Sequence, residues 1–172
     1  MYEPQQRRVF VVETKQSRYF RTIRGSSKPF VVILFVSSQA RTVTSQGRDI
    51  VLPRCKGTSC RLDFDEVCRK PTGANDYLVI GTEFETVFLE NVPRLRVEDF
   101  NVLRRLIVLI DCLYEKRIKL VVGSEVGGPG DVFEGDGERD EVFAWDRSRS
   151  RLEEMGSKEW WSGEGRGEIE RQ

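Results

Sequence analysis

Residues 86–122 read TVFLENVPRLRVEDFNVLRRLIVLIDCLYEKRIKLVV, and this stretch decides the fold. Thr86–Leu89 is a short β-branched and apolar run, the composition of a buried strand. Pro93 breaks the chain, and a helix is predicted from about Val97 to Arg117. Glu98 and Asp99 fall in its first turn and Lys116 and Arg117 in its last, so charge complements the helix dipole at both ends. Phe100, Leu103, Ile107, Ile110 and Tyr114 form one apolar stripe at steps of three and four, and Val102, Leu106, Leu109 and Leu113 form a second. A helix with two apolar stripes is buried on more than one side. Lys119–Val122 is another short strand. Strand, helix and strand over this length make a βαβ unit with a right-handed crossover. The expected fold class is therefore α/β, with a small parallel or mixed sheet and flanking helices.

Working outward toward the N-terminus, residues 62–83 read as two helical pieces. Asp63 with Glu66 three residues on has the form of a capping box for FDEVCRK, Pro71 stops that piece, and Gly73 to Phe84 resumes. Arg41–Pro53 reads as a hairpin turning at Ser45–Gln46–Gly47. Phe30–Val36, FVVILFV, reads as a strand buried on both faces, and Val9–Val12 as a short strand. Residues 1–40 form a basic N-terminal segment, and residues 41–122 the α/β core. Toward the C-terminus, residues 123–141 hold six of the chain's 15 glycines and seven acids against one arginine, the composition of a flexible acidic loop. A C-terminal helical region is expected at 142–162, with the helix from Arg147 to Trp161 and Leu152 and Met155 facing inward. Residues 163–172 are a polar tail.

The chain has 172 residues, with 28 Lys+Arg and 28 Asp+Glu, so its net charge is zero. That zero is a sum of unlike parts. Residues 1–61 carry 12 basic and 3 acidic side chains, residues 62–122 carry 9 and 11, and residues 123–172 carry 7 and 14. The basic excess lies where it could touch acidic partners or an anionic membrane surface; no nucleic-acid partner is predicted, and the balance itself says nothing about partners of the core. Histidine is absent, which excludes Ser-His-Asp and Cys-His nucleophile pairs and His-ligated metals. The longest apolar run has seven residues, far short of the roughly 20 that a membrane-spanning helix needs.

Cys55-Lys-Gly-Thr-Ser-Cys-Arg61 has the cysteine–arginine spacing of cysteine-based phosphatases, where a loop of backbone N–H groups holds phosphate for a thiolate. Leu62 and Asp63 intervene before any helix, and no helix N-terminus would stabilise the thiolate, so coincidence is the preferred reading. Cys55, Cys60 and Cys68 fit no standard zinc spacing, and no metal is expected. GGPGDVFEGDG lacks the Lys-Ser/Thr pair of a phosphate loop and its acids would repel phosphate; no GxxxxGK[ST] occurs in the chain. Asp111 interrupts the apolar helix and needs a partner or a proton; Arg104, Arg105, Arg147 and Arg151 are the candidates.

The ordered series GRDIVLP (Gly47–Pro53), FDEVC (Phe64–Cys68), PTGANDYL (Pro71–Leu78), TVFLENVPRL (Thr86–Leu95), LRRLIVLIDCLYE (Leu103–Glu115), KLVV (Lys119–Val122) and FAWDRSRSRLEEMGSKEWW (Phe143–Trp161) resembles the C-terminal region of the ZapE-type, or AFG-one-like and lactation-elevated, AAA+ ATPases. The resemblance implies ATP and Mg as cofactors of the full-length family, ATP hydrolysis, protein partners or substrates, and a mitochondrial location with a role in protein quality control; without it the chain would be placed in the cytoplasm. Family members carry a Walker A loop and a Walker B acid pair before this region. Neither is in these residues, so the chain is expected to be a truncated member that does not hydrolyse ATP alone. The resemblance further implies that Arg147 and Arg151, in DRSRSRL, reach nucleotide phosphates. Two alternatives are a phosphatase using Cys55 and Arg61, and a non-enzymatic adaptor.

Overall fold

A computed structural model describes residues 38–124, 126–135 and 140–162, together with the backbone of a strand at residues 8–11. The expected strand Phe30–Val36, the order of residues 1–40 as a whole and the tail at 163–172 lie outside the described residues.

One six-stranded sheet carries the fold. Its strands are β1 (Arg8–Val11), β2 (Gln39–Ser45), β3 (Arg48–Lys56), β4 (Ser59–Asp63), β5 (Thr86–Val92) and β7 (Lys119–Ser124), in the order β1-β7-β5-β4-β3-β2. A separate two-stranded ladder joins β6 (Leu95–Arg96) to β8 (Phe133–Glu134) in parallel. The helices are α1 (Ala74–Glu83), α2 (Phe100–Glu115), α3 (Asp140–Met155) and the short α4 (Lys158–Ser162). β4, β5 and β7 are parallel, with Ser59 opposite Thr86 and Thr86 opposite Lys119. β1, β2 and β3 join them antiparallel. The expected βαβ unit is thus β5-α2-β7, and a second crossover, β4-α1-β5, precedes it. The α/β class with a mixed sheet and flanking helices is what the structure has.

Local chemistry explains the turns. Gln46 and Gly47 have φ of 49° and 78°, the left-handed pair that a two-residue hairpin needs to match strand twist. The N–H of Gly73 donates to the Asp76 carboxylate at 2.9 Å, tying down the start of α1. α2 ends where Arg117 takes φ 55° and the N–H of Ile118 donates back to the Leu113 carbonyl at 3.0 Å.

Both predicted stripes of α2 are used. Leu103, Leu106, Ile107, Leu109, Ile110 and Leu113 are buried, with Phe100, Val102 and Tyr114 packed partly buried at the margins. They meet Cys60, Leu62, Val87, Leu89, Leu120 and Val122 from the sheet in one core. Phe88 and Val121 alternate with those strand residues and are buried on the opposite face.

Three local expectations are corrected. Asp63 is the last residue of β4, and its carboxylate accepts the Asp65 N–H at 3.0 Å; Glu66 gives no return bond and faces Lys70 at 3.8 Å. The chain then makes a single wide π-helical turn, Asp65–Arg69. The acidic glycine-rich segment is not an unpacked loop throughout, because Val126, Val132 and Phe133 are buried and β8 pairs with β6. Apolar residues spaced among the glycines anchor it. The last helix begins at Asp140 and breaks at Gly156–Ser157, where glycine ends α3 and the Ser157 hydroxyl accepts the Trp160 N–H at 3.2 Å to start α4.

Candidate functional site

Helix α3 lies against α2, and their contacts fix its direction. Arg104 pairs with Glu141, Asp111 with Arg147, and Tyr114 with Glu154, all at separations of 36 to 40 residues. A nearly constant offset means that the two helices run parallel. Arg147 and Arg151, one turn apart on α3, therefore face the same residue of α2. That residue is Asp111.

Arg147 Nη2 donates to Asp111 Oδ2 at 3.1 Å, and Arg151 Nη1 lies against Asp111 Oδ1. Oδ1 has no aligned hydrogen bond, so charge proximity holds that oxygen. The carboxylate is 23% exposed, Arg151 25% and Arg147 58%, so the cluster sits at the rim of the helical layer with Arg147 reaching outward. Aromatic rings support it from one side. The Arg151 guanidinium lies over the Tyr114 ring at 4.8 Å, and Tyr114 stacks on Trp160 at 5.0 Å. The Tyr114 hydroxyl donates to Glu154 at 2.6 Å, and this bond, with burial, pushes the phenol above its ordinary range. Trp160 is anchored in turn by its indole N–H, which donates to the Ile118 carbonyl at 3.1 Å.

Chemically, the cluster is two permanently charged planar forks sharing one carboxylate, a local excess of one positive charge. Guanidinium forks bind carboxylate and phosphate with the same geometry. Asp111 occupies the place that a phosphate oxygen could take. Of the four arginines considered for Asp111, the structure brings Arg147 and Arg151 to it. Arg104 goes to Glu141, and Arg105 donates to the carbonyls of Cys68, Arg69 and Lys70.

The structure does not bring Cys55 and Arg61 together. The segment between them is the β3–β4 hairpin, in which Arg54 faces Arg61 and Cys55 faces Cys60. Alternation along β4 places Arg61 on the face opposite Cys55, where it pairs with Glu90. Burial pushes the Cys55 thiol above its ordinary range, the reverse of what a nucleophile needs. No phosphate loop opens a helix here, because β4 continues to Asp63. All four cysteines are free and buried, and among the described residues no three potential ligands cluster around a metal position.

One arrangement escaped the sequence. Arg48 donates to the Pro71 carbonyl at 3.1 Å and pairs with the buried carboxylate of Asp76, while Arg105 gathers the carbonyls of the π-helical turn. Together they border a cleft of about 500 Å³ that also includes Thr72 and Asn75. The signal was the Gly73-x-x-Asp76 spacing within PTGANDYL, which marks a helix start whose acid also needs a cation.

ATP, implied by resemblance, fits these residues only at its phosphate end. The guanidinium forks of Arg147 and Arg151 match phosphate oxygens in chemistry, and no GxxxxGK[ST] sequence occurs to cradle the triphosphate.

Comparison with known proteins places the chain in a family. The chain is 30% identical over 154 residues to lactation elevated protein 1 homolog B of Danio rerio, covering 72% of this chain and 30% of that protein. It is 28% identical over 138 residues to an uncharacterized protein of Schizosaccharomyces pombe, covering 66% and 30%. It is 34% identical over 99 residues to the cell division protein ZapE of Escherichia coli, covering 58% and 25%. The chain thus spans less than a third of the length of these relatives. No solved structure matches it at a significant level. The AFG1-like ATPase family matches residues 21–164, which takes in both crossover units and the arginine cluster, and the chain belongs to that family.

Proposed function

We propose that this chain forms the C-terminal α/β part of a ZapE-type AAA+ ATPase, in which Arg147 and Arg151 face the phosphates of a nucleotide held by a phosphate loop outside these 172 residues. The observation that carries the reading is the convergence of both arginines on the single carboxylate of Asp111 at the rim of α2 and α3. A pair with one acid between two cations retains positive charge for an arriving anion. Taken alone, the chain binds triphosphate weakly and does not turn it over. The same reading carries protein partners as substrates, contact of the basic N-terminal segment with acidic surfaces, and a mitochondrial place in protein quality control, which fractionation of cells expressing the tagged chain would test.

The experiment is direct. Purified 172-residue chain is assayed for ATP hydrolysis and titrated with a fluorescent ATP analogue at low and high salt. Expected are no turnover and weak, salt-sensitive binding that disappears in the Arg147→Ala, Arg151→Ala double variant. Sustained turnover, or binding indifferent to both substitutions, overturns the proposal.

A further inference from the structure

The β3–β4 hairpin sets two of the four free cysteines directly across from one another, because Cys55 is the register partner of Cys60. The joining loop is Gly57–Thr58, with Gly57 at φ 57°, and Lys56 and Ser59 close it. In a two-residue hairpin the closing pair exchanges hydrogen bonds, and hydrogen-bonded and non-hydrogen-bonded pairs then alternate. Cys55 and Cys60 therefore form a non-hydrogen-bonded pair, where Cα atoms lie about 4.5 Å apart and side chains leave the same face. A disulfide accepts Cα separations of about 4.4–6.8 Å. A non-hydrogen-bonded cross-strand pair of ordinary geometry falls inside that range.

The surroundings decide the order of attack. Both thiols are in the core, Cys60 at 0% exposure and Cys55 at 3%. Cys55 lies opposite Gln39 at the start of β2, an outermost strand of the sheet, where the register slips between Gln39 and Arg41. The Arg41 charge favours a thiolate at Cys55, while burial opposes it. Cys68 lies in the π-helical turn and Cys112 on α2, and neither has a cysteine as register partner.

We propose that Cys55 and Cys60 are an oxidation site that a small-molecule disulfide converts into a cross-strand disulfide. The Cys55 thiolate attacks one sulfur of the oxidant, forming a mixed disulfide and releasing one thiol. The Cys60 sulfur then attacks Cys55 Sγ, expelling the second thiol. Two protein thiols are oxidised, one oxidant disulfide is reduced to two thiols, and the two protons leave with them. Burial makes the first step slow, and local opening at the start of β2 sets its rate.

The test uses the full chain and glutathione disulfide. After incubation the remaining thiols are alkylated and the protein is cut with trypsin without reductant. Trypsin cleaves after Arg54, Lys56 and Arg61, so the new bond joins Cys55–Lys56 to Gly57–Arg61, whereas the reduced chain yields them separately. The linked pair is expected as the main intramolecular product, and the Cys60→Ser chain is expected to retain glutathione on Cys55 with no link. Linkage between other cysteines, glutathione adducts alone, or Cys55 and Cys60 still alkylated after Cys112 has reacted overturns the proposal. Should Cys60→Ser fail to fold, thermal melting of the unmodified chain decides. A change in Tm on oxidation that dithiothreitol reverses supports the bond, and an unchanged Tm rejects it.

Discussion

Replacing Asp111 with asparagine keeps the shape of the side chain and removes its charge, which separates two roles of the arginine cluster. Exposure sets the cost in stability. Arg147 is 58% exposed, so its pair with Asp111 is largely screened and contributes a few tenths of a kcal/mol. Arg151 is 25% exposed and stacked on Tyr114, which puts its share near 1 kcal/mol. Together the loss is about 1–1.5 kcal/mol. The effect on an anion has the opposite sign. A carboxylate about 6 Å from a bound phosphate, at an effective dielectric of about 40, repels it by about 1.4 kcal/mol per charge, or about tenfold in affinity. Asp111→Asn should therefore unfold at lower urea, read by tryptophan fluorescence, yet bind the fluorescent triphosphate several-fold more tightly at low salt. The gain should shrink as salt rises. If affinity is unchanged or weaker while stability falls as expected, the arginines are structural and the phosphate reading fails. A stability loss of about 3–5 kcal/mol would instead mark a buried pair and contradict the screening argument.

Leu109→Ala, at a fully buried position on α2, should cost about 2–5 kcal/mol, measured as a fall in the urea midpoint at unchanged slope. Tyr77→Phe removes a hydroxyl that donates to the Val67 carbonyl at 2.6 Å and should cost about 1–2 kcal/mol by the same assay. Burial pushes the Tyr77 phenol up to about 12, so between the ordinary tyrosine value near 10 and pH 12 the unfolded chain binds fewer protons. Stability should fall as pH rises through that window, and Tyr77→Phe should flatten the fall. The unmodified chain should hydrolyse no phosphate monoester, with Cys55→Ser indistinguishable from it; a rate that Cys55→Ser abolishes would restore the phosphatase reading.

The β5-α2-β7 unit was legible because its apolar residues recur at periods that only one secondary structure satisfies. The second crossover was harder, since Leu62 and Asp63 read as the approach to a helix although they complete a strand. Pairing with β5, which is distant in sequence, decides that segment. The same holds for the glycine-rich region, where composition predicted a loop and three buried apolar side chains tie it to the fold. At the site, the need of Asp111 for a partner was readable from its apolar neighbours. Which arginines supply it depends on α3 running parallel to α2, and no local pattern encodes that direction. The Cys55–Arg61 spacing is the coincidence that its missing helix start suggested, because a hairpin and a phosphate loop can share a spacing while placing alternate residues on opposite faces.

The parallel strands stand in the order β7-β5-β4, the reverse of their order in sequence, with no change of direction. α1 and α2 pack into the same core. Open parallel sheets form their ligand crevice where strand order reverses and successive helices part to opposite sides. These three strands wind one way only. At the last residues of β5 and β7 the Ser124 hydroxyl donates to the Val92 carbonyl at 2.7 Å, and just beyond them the Leu95 N–H donates to the Val132 carbonyl at 2.7 Å. The chain leaving these strand ends is thus held to itself by hydrogen bonds. On the function proposed above, a nucleotide would meet these residues sideways, along the flank of α2 and α3, and would find arginines there rather than a cradle of backbone amides.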